Sequence, residues 1–148
     1  MRARADYGAR ICAGKRVFKR SVEWAAAEAA QGEVCDVAND NGGGQVVVSG
    51  HKEAVERTIE AAKAKGCKRG MLLPVSAPFH CPLMQPAADA MKEALEKVSL
   101  GTPSVPLVSN VLASEITNPA DIKVRLVEQV TGRVRWRESV LAMVDAGV

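Results

Sequence analysis

The sequence predicts an α/β chain in two parts. Three observations carry that reading. Alternating and β-branched stretches interleave with Ala-rich and amphipathic ones; the order up to residue 73 is helix, strand, strand, helix, strand; and a Pro-punctuated loop at 76–86 then opens a segment of different character. With aromatic residues at only 3% of 148, the core must be built from Val, Leu, Ile, Ala and Met, which favours α/β layers over an aromatic-rich sandwich.

The first 20 residues show little apolar periodicity. They hold Arg2, Arg4, Arg10, Lys15, Arg16, Lys19 and Arg20 against Asp6 alone, which predicts a basic, disordered arm over 1–20. The segment is Arg-rich and acid-poor, but it lacks the hydroxyl residues of a targeting arm. Residues 21–31 are Ala-rich and predict a helix ending at Gly32. Residues 33–38 alternate as a half-buried strand does, Asn39–Gly44 reads as a turn, and Gln45–Val48 is the returning strand of a hairpin. Ser49 or Gly50 caps the next helix, whose buried face is Val55, Ile59 and Ala62 and whose stop is Gly66. Residues 67–75 read as a further strand ended near Pro74, so the first part is a split β-α-β order missing its first strand.

In the second part, Pro86 sits in the first turn of a helix with Ala88, Met91, Leu95 and Val98 as a buried stripe. Residues 104–112 read as a buried strand. Asn118-Pro119 opens a helix with Ile122, Leu126 and Val130 inward, and Trp136 precedes a last helix ended at Gly147. The domain division this predicts is 1–20 arm, 21–73 small unit, 74–148 second unit.

Composition narrows function. Net charge is +3, yet the basic excess lies in the arm, so the 128 residues that follow are mildly acidic and no folded basic face for nucleic acid is predicted. No apolar run reaches membrane length, and no secretory core is present. Cys12, Cys35, Cys67 and Cys81 form no C-x-x-C pair and only two histidines exist, so the expectation is free thiols in a reducing cytoplasm and no metal site.

His80 is the main candidate for chemistry. It lies in Pro74-Val75-Ser76-Ala77-Pro78-Phe79-His80-Cys81-Pro82, a proline-stiffened loop after a strand, where a neutral imidazole suits a general base. A histidine capping a backbone carbonyl fits the same position. His51, at a helix start, reads as an exposed capping residue, and Cys81 as a small buried filler rather than a nucleophile, because adjacent side chains diverge. The Asn39–Gly44 loop offers backbone N–H groups but lacks Walker spacing. No G-x-S-x-G elbow occurs.

Several segments then form an ordered set from about Gly32 to Val148: Val37-Ala38-Asn39-Asp40-Asn41, Gln45 through Glu56, Leu73 through Cys81, Met84-Gln85-Pro86-Ala87, Ser109-Asn110-Val111, and Gln129-Val130 leading to Val134-Arg135-Trp136. The set resembles the malonyl-CoA:acyl-carrier-protein transacylases of bacterial fatty acid synthesis. The resemblance implies an incomplete ferredoxin-like small subdomain followed by part of an α/β-hydrolase-like acyltransferase domain. It further implies malonyl-CoA as substrate, acyl carrier protein as partner and no permanently bound cofactor. His80 matches the family's catalytic histidine, and Gln129 the residue whose backbone carbonyl orients that ring. Asn39 and Asn41 fall where the family lines its cleft, and Phe79 either shapes the acyl pocket or packs.

The departures are as informative. The family's Gly-Gln-Gly-Ser-Gln loop, its Gly-His-Ser-Leu-Gly elbow, the malonate-binding arginine after that elbow, and its final Gly-rich segment are not found, and residues 1–20 do not resemble the first small-subdomain strand. The reading is therefore a chain that supplies the histidine and not the serine, inactive alone and paired with a complementary N-terminal chain. The alternative is a non-catalytic ferredoxin-like module that binds acyl carrier protein or a partner chain. A third reading, an independent serine or cysteine hydrolase, requires a nucleophile within hydrogen-bond reach of His80.

Overall fold

A computed structural model of the chain describes residues 6–12 and 19–148. Its first unit is a four-stranded antiparallel sheet in the order β2-β3-β1-β4, from β1 (Asp6–Cys12), β2 (Cys35–Gly42), β3 (Gln45–His51) and β4 (Arg69–Leu72). Helices α1 (Lys19–Ala30) and α2 (Lys52–Ala64) pack on it. Strand β1 corrects the expectation of a disordered arm, and it is the strand missing from the split β-α-β order; residues 1–5 and 13–18 of the expected arm lie outside the described residues. Ala9 and Ile11 alternate, fully buried, and both edges of β1 are paired, by β3 and β4. The charged residues around so short an alternation hid it from the periodicity reading.

The core is aliphatic. Ala9, Ile11, Val22, Ala25, Val37, Val46, Val48, Val55, Ile59 and Ala62 belong to one buried cluster. The hairpin turn is shorter than the expected Asn39–Gly44: β2 runs to Gly42, and Gly43 and Gly44 turn the chain with φ of +58° and +78°, which glycine adopts without a Cβ penalty. Ser49 and Gly50 lie within β3, and His51 takes the N-cap position of α2 instead. The β3 backbone pairs through that point, which holds both residues extended. Gly50 is obligatory there, since a Cβ would stand 2.0 Å from the Val34 carbonyl oxygen.

The second unit comprises α3 (Gln85–Glu96), a hairpin of β5 (Leu107–Ser109) and β6 (Ser114–Ile116), α4 (Pro119–Thr131) and α5 (Trp136–Asp145). Asn118 caps α4, its side chain accepting from the Ala120 N–H at 2.8 Å. The predicted inward stripes are mostly uncovered. In α3 only Ala88 is buried, while Met91 and Val98 are exposed; in α4 Ile122 is buried and Leu126 exposed. The expected buried strand over 104–112 is three residues long, with Val105 and Leu107 exposed. Amphipathicity marks these faces correctly, but nothing in the described residues covers them.

The two units are bound at the free edge of β2. Val134 pairs with Asn39 in a parallel bridge, with the Asp40 N–H donating to the Val134 carbonyl at 3.0 Å and the Val134 N–H to the Ala38 carbonyl at 2.8 Å. The Arg133 guanidinium donates to the Val37 carbonyl at 3.0 Å and to Glu23 at 2.6 Å, and Arg137 reaches the buried Asp40 carboxylate at 3.2 Å. The edge strand is thus covered rather than left open.

Candidate functional site

His80 ends the loop that leaves β4. Its backbone φ is +62°, a left-handed conformation that few non-glycine residues adopt and that costs of order 1 kcal/mol unless neighbours hold it. Pro78 is buried, and the Cys81 thiol donates to the Pro78 carbonyl at 3.1 Å, which ties the loop on either side of the ring. The Nδ1 atom lies 2.9 Å from the Gln129 backbone carbonyl, 49 residues away. A carbonyl oxygen only accepts, so the neutral ring carries its hydrogen on Nδ1 and its lone pair on Nε2. The ring is half-buried, and Nε2 has no hydrogen-bond partner among the described residues.

The acceptor is itself held in place. Gln129 lies in the last turns of α4; its side-chain amide donates to the Gly132 carbonyl at 2.9 Å, and the Gly132 N–H donates to the Glu128 carbonyl at 2.8 Å. A Cβ at Gly132 would meet the Glu128 carbonyl oxygen at 2.7 Å and Val111 at 2.9 Å, so glycine allows this close turn. Directly after it, residues 133–135 dock on β2. Five residues therefore connect the atom that orients His80 to the edge of the sheet.

In front of the ring lies a cavity of about 220 Å³ between the sheet and the loop, lined by Gly8, Ala38, Asn39, Val47, Ser49, Leu73, Val75, Ala77, Phe79 and His80. Val46 and Val48 point into the helix-covered core, so Val47 and Ser49 face the other way, towards the loop. Gly8 sits under the loop, with Val75 at 3.4 Å from where its Cβ would stand. Of the residues singled out from sequence, the structure brings Asn39, Phe79 and His80 to this cavity and the Gln129 carbonyl to the ring. It does not bring Asn41, whose side chain donates to Gln45 across the hairpin at 2.9 Å. Ser49 was missed because it was read as a helix cap; its position two residues after Val47 in a strand is the signal that places it here. A second, shallower cleft on the other side of the ring is lined by Asp36, Val37, Pro82, Thr131, Arg133 and Arg135.

His51 is half-buried rather than exposed, with Nδ1 accepting the Val34 N–H at 3.0 Å. Cys81 is fully buried and committed to Pro78. Burial pushes the Cys35 thiol up to about 11, against a smaller lowering by its hydrogen bond with Thr58, which leaves it protonated at neutral pH. No serine or cysteine among the described residues is hydrogen-bonded to His80, which the independent-hydrolase reading requires. The arrangement can take up and return a proton at a fixed nitrogen; it does not itself present an activated nucleophile.

The largest hollow, about 580 Å³, lies away from this chemistry, between α3 and α4, lined by Lys92, Leu95, Glu96, Lys123, Val124, Val127 and Glu128. It is a groove between two helices with uncovered apolar faces, and it contains no member of the His80 constellation.

No protein-family model matches the chain. Curated relatives do. The chain is 48% identical over 128 residues to the malonyl CoA-acyl carrier protein transacylase of Escherichia coli strain K12, a match spanning 86% of this chain and 41% of that protein. An acyl-carrier-protein-S-malonyltransferase from Bartonella henselae superimposes with a TM-score of 0.91 at 48% identity, over 98% of this chain and 45% of the other. A malonyl-transacylase solved in complex with its type II PKS acyl-carrier protein gives a TM-score of 0.93 at 39% identity, over 98% of this chain and 46% of the other. The chain thus spans about two fifths of the length of the curated relatives it matches, in their C-terminal part.

Proposed function

We propose that this chain is the histidine-bearing part of a malonyl-CoA:acyl-carrier-protein transacylase acting in the cytoplasm in fatty acid synthesis. The observation that carries the reading is the 2.9 Å contact between His80 Nδ1 and the Gln129 backbone carbonyl, which leaves Nε2 bare beside a cavity. A serine hydroxyl supplied from outside these 148 residues attacks the malonyl thioester carbon while His80 Nε2 takes its proton. The tetrahedral adduct collapses, the C–S bond breaks, and the departing coenzyme A sulfur receives that proton. The carrier protein's phosphopantetheine thiol then gives its proton to Nε2, attacks the malonyl-serine ester and restores the serine. The carbonyl acceptor fixes the ring's tautomer without adding a buried charge. In this reading Asn39 and Phe79 border the acyl group's approach, and Asn41 stiffens the hairpin that carries Asn39.

The exposed apolar residues of the second unit, Met91, Val98, Leu107, Val124 and Leu126 among them, support the same reading. They are the faces that a complementary N-terminal portion, carrying the nucleophile elbow, covers. The test is transfer of labelled malonyl from malonyl-CoA to acyl carrier protein. The expected result is negligible transfer by the chain alone, and transfer on mixing with the N-terminal portion of a homologous transacylase, lost by about three orders of magnitude or more in His80→Ala. Enzyme-like turnover by the chain alone overturns the need for a second portion. Transfer in the mixture that survives His80→Ala overturns the catalytic role and favours a non-catalytic carrier-protein-binding module.

A further inference from the structure

The cavity in front of His80 contains a polar atom that the fold leaves unused. Ser49 is 2% exposed, and its hydroxyl has no hydrogen-bond partner. A buried hydroxyl without a partner is costly, typically by about 1–3 kcal/mol, and such atoms are rare in native interiors. This one is not displaced by local necessity. Its neighbours along the strand, Val47 and Val48, are aliphatic, and Val47 lines the same cavity wall.

The rest of the lining says what kind of group would satisfy it. Ala38, Val47, Leu73, Val75, Ala77 and Phe79 are apolar, Asn39 is polar and neutral, and neither a lysine nor an arginine lines the cavity. A carboxylate placed here would lose its water without gaining a cation. A slender alkyl chain interrupted by amides matches better: its methylenes meet the aliphatic wall, and an amide N–H or C=O meets the lone hydroxyl, which both donates and accepts. Among the parts of an acyl thioester of coenzyme A or carrier protein, that description fits the pantetheine arm and not the dicarboxylic acyl group.

We propose that Ser49 binds an amide of the pantetheine arm within this cavity and so sets the depth at which the thioester meets His80; the proposal rests on the acyltransferase reading above. Because the hydroxyl is already stripped of water in the free protein, the ligand does not bear that desolvation on binding. The same feature sets a diagnostic pair of signs. Removing the hydroxyl relieves an unsatisfied group in the free fold, while it leaves a ligand amide unpaired in the complex.

The experiment titrates the 148-residue chain with pantetheine, followed by backbone amide NMR shifts, for wild type, Ser49→Ala and Ser49→Thr, with urea unfolding of each. The expected result is saturable binding that weakens about tenfold in Ser49→Ala. Ser49→Ala unfolds at equal or higher urea than wild type, and Ser49→Thr retains the affinity. Equal affinity of wild type and Ser49→Ala, or no saturable binding of pantetheine by wild type, overturns the proposal. So does a Ser49→Ala protein less stable than wild type, which would make the hydroxyl structural. Failure of the acyltransferase reading is seen separately, as malonyl transfer in the mixed assay that does not depend on His80.

Discussion

Gly132→Ala tests whether the turn after α4 positions His80. The backbone there has φ −87° and ψ 150°, which alanine adopts freely, so any effect comes from contact and not from conformation. The added methyl stands 2.7 Å from the Glu128 carbonyl oxygen and 2.9 Å from a Val111 methyl carbon. A carbon and a carbonyl oxygen rest at roughly 3.3 Å or more, so the chain must open by about half an ångström. Overpacking of this size costs about 1–3 kcal/mol, against which the stiffer unfolded chain of alanine returns about 0.4–1 kcal/mol. The net is a loss of about 1–2 kcal/mol. The opening falls between Glu128 and Gly132, and Gln129 hydrogen-bonds within that span. Urea unfolding reads the stability, and ¹⁵N shifts of the His80 ring read whether hydrogen still resides on Nδ1. The expected outcome is a lower midpoint together with a mixed tautomer. An unchanged midpoint, or a lower midpoint with the ring signals untouched, refutes the link between this turn and the imidazole.

Gln129→Ala should behave unlike the loss of a triad carboxylate. The acceptor is a backbone oxygen and survives the substitution; only the side-chain bond to the Gly132 carbonyl is lost, worth about 1 kcal/mol. Malonyl transfer in the mixed assay should stay within about tenfold of wild type, whereas disabling a triad aspartate costs about 10⁴. For Cys35, the folded thiol titrates near about 11 against 9.0 for the unperturbed group. The folded value is raised, so the contribution is fully present below pH 9 and is lost as pH climbs through about 11. Urea midpoints of wild type should therefore fall more steeply between pH 9 and 11 than those of Cys35→Ala, by up to about 2–3 kcal/mol, and parallel slopes would refute the buried-thiol account.

Much of this was legible in the residues because local rules act locally. Val55, Ile59 and Ala62 predicted a buried face that is buried, Asn118-Pro119 predicted a capped helix start, and the proline-stiffened loop marked His80. Misreadings arose where tertiary pairing outweighed local signal. Asp6–Cys12 carries its alternation among charged residues, and only two flanking strands make it the centre of a sheet. Ser49 and Gly50 look like a helix cap until the ladder to β1 and the Val34 carbonyl hold them extended. Helix stripes such as Met91 and Leu126 were assigned to a core because amphipathicity identifies a face that wants covering; it does not say whether the cover is in the same 148 residues.

The orientation of His80 could not have been read from its neighbours, because it is a product of docking between the two units. The ring is carried on a strained left-handed residue, its tautomer is set by a carbonyl 49 positions later, and the wall it faces is the outer face of a sheet built from residues 6–72. What holds these three parts in register is the strip from Gly132 to Arg137. That strip pairs with Ala38 and Asp40 through its backbone and fastens to Val37, Glu23 and Asp40 through Arg133 and Arg137. Asp40 is nearly fully buried, so its pairing with Arg137 is the kind of ion pair that is costly to break and of little worth to make. Such a pair specifies one docking geometry. A proton relay needs that more than it needs added stability, since a ring turned or displaced by an ångström no longer meets the group it serves.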